Sequence, residues 1–464
     1  MKTRRDFLKN SISSIAAISP LMAFLSSLEN LEAADVNGEY KAIVCILLEG
    51  GCDSFNMIVP RLGSDYENYK AVRGDIALSQ SSLLSFTHSN QNGLNALSYG
   101  MRSNMTEMQG LFNSRKLAII ANIGTLVEPV TQSDVLNGSA SIPSQLFSHN
   151  TQRAQWMMGN AKDIETSGWA GRASDVFYPT SNPYFNITVT GDNIMQSGGN
   201  VESFEFTEAS ISPNTMKYYG FGPDSGGSDL GTVYQNIYEQ QENANNKLLS
   251  TFAKQRVEKL NQQIILKDLF NGVESFEGFT SGVHETGIPL GEQLELVAQI
   301  LSVKDNFPEK RKRQIFFVNH HGWDTHDGDN EHQVDYLSES LGAFNAALEE
   351  MGIQNNVTTF TISDFGRSLT SNGAGTDHGW GGHAFVMGGA VKGGDIYGKM
   401  PEIKKDSPDA WSDRVIPTTS IETYFATIVK WFGASDSELD NIFPNLKAFK
   451  DNPSYKDMGF MKTT

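Results

Sequence analysis

Nine histidines occur in the 464 residues, and six of them (His320, His321, His326, His332, His378 and His383) fall within one stretch of the chain. They are interleaved with carboxylates, in the runs Asn319-His320-His321-Gly322-Trp323-Asp324-Thr325-His326-Asp327, Ser363-Asp364-Phe365-Gly366-Arg367 and Gly375-Thr376-Asp377-His378-Gly379-Trp380-Gly381-Gly382-His383. Mixed imidazole and carboxylate donors suit Zn²⁺, Mn²⁺ or iron, whereas a carboxylate-rich subset accepts Mg²⁺ or Ca²⁺. Asp324, His326, His378 and His383 reinforce one another as candidate metal ligands, with Asp53 and Asp364 as further carboxylates. An isolated Asp at either of those last two places is otherwise a turn or cap residue. His320 and His321 directly follow a strand, where either can pack or hydrogen-bond as well as ligate, and His332 reads as a surface residue at a helix start. Arg367 either binds an anionic substrate or pairs with a neighbouring carboxylate. The nucleophile candidate is Ser148, which opens the helical pattern Ser148-His149-Asn150-Thr151-Gln152-Arg153. Backbone N–H groups at such a position stabilise incoming negative charge, and the same position suits an N-cap serine.

These runs are far apart in sequence, so a frame must bring them together. Residues 41–48, Lys-Ala-Ile-Val-Cys-Ile-Leu-Leu, form a continuous apolar run that ends in Glu49-Gly50-Gly51. That is the pattern of a strand buried on both faces with a loop at its carboxyl end. Similar runs at 117–121, 185–189, 314–318 and 357–362 predict further strands, and helical periodicity covers 232–271, 291–304, 332–351 and 418–432. Strands alternating with helices predict a doubly wound α/β domain with a mostly parallel sheet flanked by helices. In such sheets ligands collect at the carboxyl ends of strands, which is where Glu49 to Asp53, Asp324 with His326, and Asp364 fall. Residues 191–230 are rich in Gly, Ser, Asn and Pro and read as an inserted lid, with the whole inserted or helical region spanning about 191–290.

At the other end of the chain, Thr3-Arg4-Arg5-Asp6-Phe7-Leu8-Lys9 precedes a mildly apolar, Ser-rich run from Ile12 to Leu28. This is the layout of a twin-arginine signal over residues 1–33. It implies passage through the Tat translocase in the folded state, and a periplasmic or extracellular location. The run is too short and polar for a spanning helix, and no other segment qualifies as a stable membrane span. A formal charge of −18 argues against nucleic acid or an anionic membrane as a partner. The two cysteines, Cys45 and Cys52, are expected as free buried thiols.

Taken together, the segments Leu-Leu-Glu-Gly-Gly-Cys-Asp-Ser-Phe-Asn (47–56), Ser-His-Asn-Thr-Gln (148–152), Gly-Trp-Asp-Thr-His (322–326), Ser-Asp-Phe-Gly-Arg (363–367) and Gly-Thr-Asp-His-Gly-Trp-Gly-Gly-His (375–383) resemble the domain of unknown function 1501 family, in the alkaline phosphatase and sulfatase superfamily. Gly393-Gly394-Asp395-Ile396-Tyr397-Gly398 and Ile442-Phe443-Pro444-Asn445-Leu446 belong to the same likeness. The resemblance implies an alkaline-phosphatase-like fold over residues 34–464 and a centre of one or two divalent ions (Zn, Mn, Mg or Ca). It implies Ser148 as nucleophile toward phosphoester, or less readily sulfoester, substrates. By the same likeness Asp53 matches the first-strand metal carboxylate, Asp324 and His326 the ligands of one metal, Asp364 a ligand of the other, and His378 or His383 the final histidine. Two positions depart from the pattern: Asp364 is followed by Phe365 where histidine is usual, and the first strand ends in Glu49-Gly50, which leaves Glu49 and Asp53 as alternatives. Ser141-Ile142-Pro143-Ser144-Gln145 lacks the arginine of a sulfatase maturation motif. The rival to an esterase is a non-catalytic periplasmic or cell-surface binding or assembly protein with the same fold.

Overall fold

The computed structural model describes residues 38–87, 98–178, 184–199, 203–205, 273–280, 287–307 and 312–463, with scattered positions between 240 and 254. The signal segment 1–33 and most of both the helical pattern 232–271 and the 191–290 insertion lie outside the described residues.

In chain order the elements used below are β1 (Lys41–Leu48), α1 (Gly63–Arg73), α2 (Thr106–Asn113), β2 (Leu117–Gly124), α3 (His149–Met158), α4 (Trp169–Phe177), β3 (Asn186–Thr188) and β4 (Phe204–Glu205). They continue with α5 (Leu290–Ser302), β5 (Arg313–His320), α6 (Glu331–Glu350), β6 (Val357–Ser363), β7 (Arg367–Ser371), β8 (Thr376–His378), β9 (Gly382–Met387), β10 (Ile396–Tyr397), β11 (Thr419–Ser420) and α7 (Ile421–Phe432). The main sheet runs β10-β2-β9-β6-β1-β5-β3-β4, and β11 also pairs with β2. All neighbours are parallel except β9, which is antiparallel to both β2 and β6. The predicted α/β class with a mostly parallel sheet is therefore the observed one.

β1 shows why both faces are covered. It is buried along all but its first residue, so neither side can face water. Because side chains alternate, Ala42, Val44, Ile46 and Leu48 enter one apolar core with side chains of α2, α5 and α6. Ile43, Cys45 and Leu47 enter the other, with side chains of α3, α4 and α7. Each fully buried Val, Leu or Ile contributes about 1.5–3 kcal/mol of transfer free energy, so the two cores hold the strands firmly. Both cysteines are buried and unpaired, as expected.

Two of the element ends that differ from the sequence reading, and one additional strand, have local reasons. β2 continues to Gly124 because its tail pairs with β9 and β11. α7 starts at Ile421 rather than 418 because Thr419 and Ser420 belong to the sheet and the Ser420 side chain caps the Thr423 N–H. β9 was not foreseen: its apolar run follows a Gly-rich loop and is only six residues long.

Candidate metal centre

β1 pairs in parallel with β5 and with β6, and the register places Leu48 opposite both His320 and Ser363. Three central strands therefore end level, and the loops that follow them emerge side by side. Gly50 lets two of these loops touch. Its φ is +124°, and a Cβ there would lie 2.4 Å from the Asp324 backbone nitrogen. Trp323 N–H donates to Glu49 O at 3.0 Å, which fixes the loop carrying Asp324 and His326 over the end of β1. From the other side, Thr376 N–H donates to Thr325 O at 3.0 Å, and the β7-β8 hairpin pairs Arg367 with His378.

The result is a convergence of three imidazoles and one carboxylate. His149 Nε2 lies 3.1 Å from His378 Nε2, and His326 Nε2 lies 2.8 Å from the same atom. Asp324 closes the group: Oδ2 is 3.4 Å from His149 Nε2, while Oδ1 is 3.1 Å from His326 Nε2 and 3.4 Å from His378 Nε2. His149, Asp324 and His378 each place a ligand atom within 4.8 Å of the other two, a spacing that suits a single ion, and His326 joins this group through His378 and Asp324.

The outer partners point the same way. His149 Nδ1 faces Asp364 Oδ2 at 2.7 Å, His378 Nδ1 faces Phe147 O at 2.7 Å, and His326 Nδ1 lies 3.5 Å from Asp377 Oδ1. For His149 and His378 the outer group is a hydrogen-bond acceptor, which favours a proton on Nδ1 and an Nε2 lone pair directed inward. This is the arrangement that orients histidine ligands around a metal.

Electrostatics follows from the same contacts. The Asp364 hydrogen bond raises the His149 pKa, against its partial burial, with the Asp364 and Asp324 charges assisting. Burial lowers that of His378, and the neighbouring His149 and Arg367 add to the effect. For Asp324, burial works against ionisation, but the Arg367 hydrogen bond and charge with His149 and His326 outweigh it and hold the carboxyl below its ordinary value.

The remaining expected residues are distributed around this group. Asp364 is fully buried behind His149, with Oδ1 and Oδ2 accepting from Arg153 Nε and Nη2, each at 2.9 Å. Arg153 also bonds Glu49, which in turn meets Asn319 Nδ2 and His321 Nδ1 at 2.6 Å. Of the two alternatives after β1, Glu49 is the one at the strand ends beside Asp364. Asp53 is buried in an ion pair with Arg73 of α1 and stands outside the histidine group. His383 is buried as well: its Nδ1 accepts from Asn122 N–H at 3.2 Å, its ring meets Phe55 edge-on, and burial pushes its pKa down to about 3. Arg367 takes the second of its two sequence readings, pairing with a carboxylate: Nη1 donates to Asp324 Oδ1 at 2.8 Å and the side chain is fully buried. His320 packs edge-on against Trp323, and His332 is exposed. Ser148 is the N-cap of α3, yet its side chain makes no capping bond.

Sequence reasoning passed over His149 and Arg153. The signal is present, since they stand four apart at the start of the helix that Ser148 precedes, and that spacing puts both on one face. Both touch Asp364.

With this geometry established, comparison with known proteins gives a partial placement. Residues 308–439 match the family described as "Protein of unknown function (DUF1501)". The DUF1501 stretch contains Asp324, His326 and His378, while His149 lies outside it. Among curated proteins none matches the chain. The chain is similar to Ps i-CgsB in complex with k-i-k-neocarrahexaose, at 10% identity over 89% of this chain and 77% of that one, with a TM-score of 0.35. A similar likeness holds for the soluble domain of lipooligosaccharide phosphoethanolamine transferase A from Neisseria meningitidis, at 7% identity, 93% and 96% coverage and a TM-score of 0.34. A protein in the alkaline phosphatase superfamily from Vibrio parahaemolyticus matches at 12% identity, 87% and 68% coverage and a TM-score of 0.32. The fold class stated above rests on the chain's own strand order.

Proposed function

We propose that the protein is an exported metal-dependent hydrolase of phosphate, less readily sulfate, esters, with the metal held by His149, Asp324, His326 and His378. The observation that supports this reading is the convergence of His149 Nε2, His378 Nε2 and an Asp324 oxygen, with both of these imidazoles backed by an acceptor at Nδ1 and His326 Nε2 beside them. Asp324 and His326 are close to half exposed, so an ester can reach the group from solvent. A divalent ion bound there supplies Lewis-acid polarisation of an ester oxygen and eases deprotonation of a hydroxyl.

The chain's own residues do the rest. Asp364 and Phe147 O keep the Nδ1 protons of His149 and His378 in place. Arg367 aims Asp324. Ser148 stands one residue before His149 at the N-terminus of α3, its side chain free of a capping bond, where backbone N–H groups favour developing negative charge. Its Oγ attacks the phosphorus, the ester alcohol leaves with the proton, and water then releases phosphate from serine and restores the hydroxyl. Export by the Tat route is part of the same proposal. Among the described residues no helix is long and apolar enough to cross a membrane.

A non-catalytic binding role is the second reading, and it draws on Arg153, which already occupies both Glu49 and Asp364. Elemental analysis of purified protein together with turnover of aryl phosphate mono- and diesters separates the two. Bound metal with turnover supports the hydrolase, metal without turnover supports the binding role, and neither metal nor turnover refutes the hydrolase. Ser148→Ala is expected to abolish turnover while metal content stays unchanged; full activity in that variant refutes the serine as nucleophile.

A further inference from the structure

We propose that Arg153 stands in for a second cation, so that the centre holds one metal ion per chain and the arginine keeps another out. This rests on the reading of His149, Asp324, His326 and His378 as a metal set.

Two carboxylates from adjacent strand ends face each other beside that set: Glu49 after β1 and Asp364 after β6. Asp364 is fully buried and Glu49 is only about a fifth exposed, at 21%. Two such charges require a cation between them. The guanidinium is that cation. Its Nη1 bonds Glu49 Oε1, and its Nε and Nη2 bond Asp364 Oδ1 and Oδ2 at 2.9 Å each. Burial disfavours the charge on Arg153, but the bonds and charges of Asp364 and Glu49 outweigh it and raise the pKa further. The arginine is thus charged at every accessible pH.

Around the same point lie groups that would ligate an ion if the guanidinium were gone. Glu49 Oε2 has Asn319 Nδ2 and His321 Nδ1 at 2.6 Å. Glu49 and Asp364 offer carboxylate oxygens of the kind that suits Mn²⁺ or Mg²⁺. What bars an ion is the arginine in their midst. Arg153 reaches this position because it lies one helical turn after His149, so one helix delivers a metal ligand and a fixed cation to the same carboxylate.

The test is metal stoichiometry. Wild-type protein, Arg153→Met and Arg153→Met/Glu49→Gln are stripped, reloaded with Zn²⁺ or Mn²⁺, and measured by elemental analysis and titration calorimetry. The expected values are one ion per chain, two, and one. The methionine preserves most of the arginine stem volume, and a thermal melt reports whether each variant folds. Two ions in the wild type overturn the proposal whether or not the variant folds. A folded Arg153→Met that still takes only one ion also overturns it, while the four-residue metal set stands. A wild type that takes no ion overturns the metal set itself and the arginine proposal with it.

Discussion

Asp364 is the residue on which the site's architecture is most exposed to test, and Asp364→Asn is the sharpest perturbation because it keeps the shape and removes the charge. Oδ2 accepts from His149 Nδ1 at 2.7 Å and from Arg153 Nη2 at 2.9 Å, and Oδ1 accepts from Arg153 Nε at 2.9 Å. An asparagine offers one oxygen and one NH₂. With the oxygen at the Oδ2 position, the NH₂ meets the Arg153 Nε–H, donor against donor. With the NH₂ at that position, His149 must accept at Nδ1 and carry its proton on Nε2, the atom that would face the proposed metal. Loss of such an outer partner weakens metal binding by about 10–100-fold, or roughly 1.4–2.7 kcal/mol. Breaking the buried arginine pair also destabilises the metal-free protein. Because Arg153 keeps Glu49 and is partly exposed, that cost falls toward the lower end of the roughly 3–5 kcal/mol seen for buried pairs. Competition with a chromophoric chelator measures the first effect, and urea unfolding of the stripped protein the second. A folded Asp364→Asn that binds metal as tightly as the wild type refutes the tautomer argument.

Two other perturbations are predicted from the structure. Glu422 is fully buried, and burial pushes its carboxyl up to about 7, with hydrogen bonds from the Ala161 N–H and Asn445 opposing. A folded value above the unfolded one means that this group's contribution is intact below about pH 4.5 and is lost as pH rises through about 7. Glu422→Gln should therefore gain stability over the wild type at alkaline pH, by up to about 3 kcal/mol, and gain nothing at acid pH; equal differences at both pH values in urea unfolding count against it. Gly50→Ala forces a Cβ to within 2.4 Å of the Asp324 nitrogen at a φ of +124°. It should cost at least about 1–3 kcal/mol and weaken metal binding without touching a ligand, and unchanged melting and affinity would show that the contact between these loops does not position Asp324.

How much of this could be read from the sequence differs between frame and site. The runs 41–48, 314–318 and 357–362 announce themselves because strands buried on both faces have no polar alternation, and they are the strands whose level ends carry Glu49, Asp324 and Asp364. Asp324, His326 and His378 were legible as a group because they follow strand ends in His-rich loops. His383 looked equivalent by type but faces the Asn122 backbone, since it lies on β9, a strand too short to be recognised. Asp53 is four residues past Glu49, and only the course of the loop decides that it turns to Arg73. His149 and Arg153 were hidden for another reason: a serine at a helix start draws attention to capping, while the face presented by the helix depends on its docking against the sheet.

That docking also explains why the site is better regarded as one unit than as a metal group with neighbours. Asp364 receives His149 and Arg153 on the same carboxylate, so whatever fixes the arginine also fixes the imidazole. Phe147 contributes from the same segment, its carbonyl holding His378 Nδ1 and its own N–H donating to Gln152 within α3. Its φ of +71° is one that few bulky residues adopt, and it is held there by that bond and by the helix that follows. The start of α3 therefore supplies one imidazole, orients a second through a backbone carbonyl and places the cation that neutralises the adjoining carboxylates. Arg367 does the corresponding work for Asp324 from the β7-β8 hairpin. Two arginines, each committed to a carboxylate of the centre, leave His149 Nε2, His378 Nε2 and one Asp324 oxygen as the grouped donors on which the proposed single-metal reading rests.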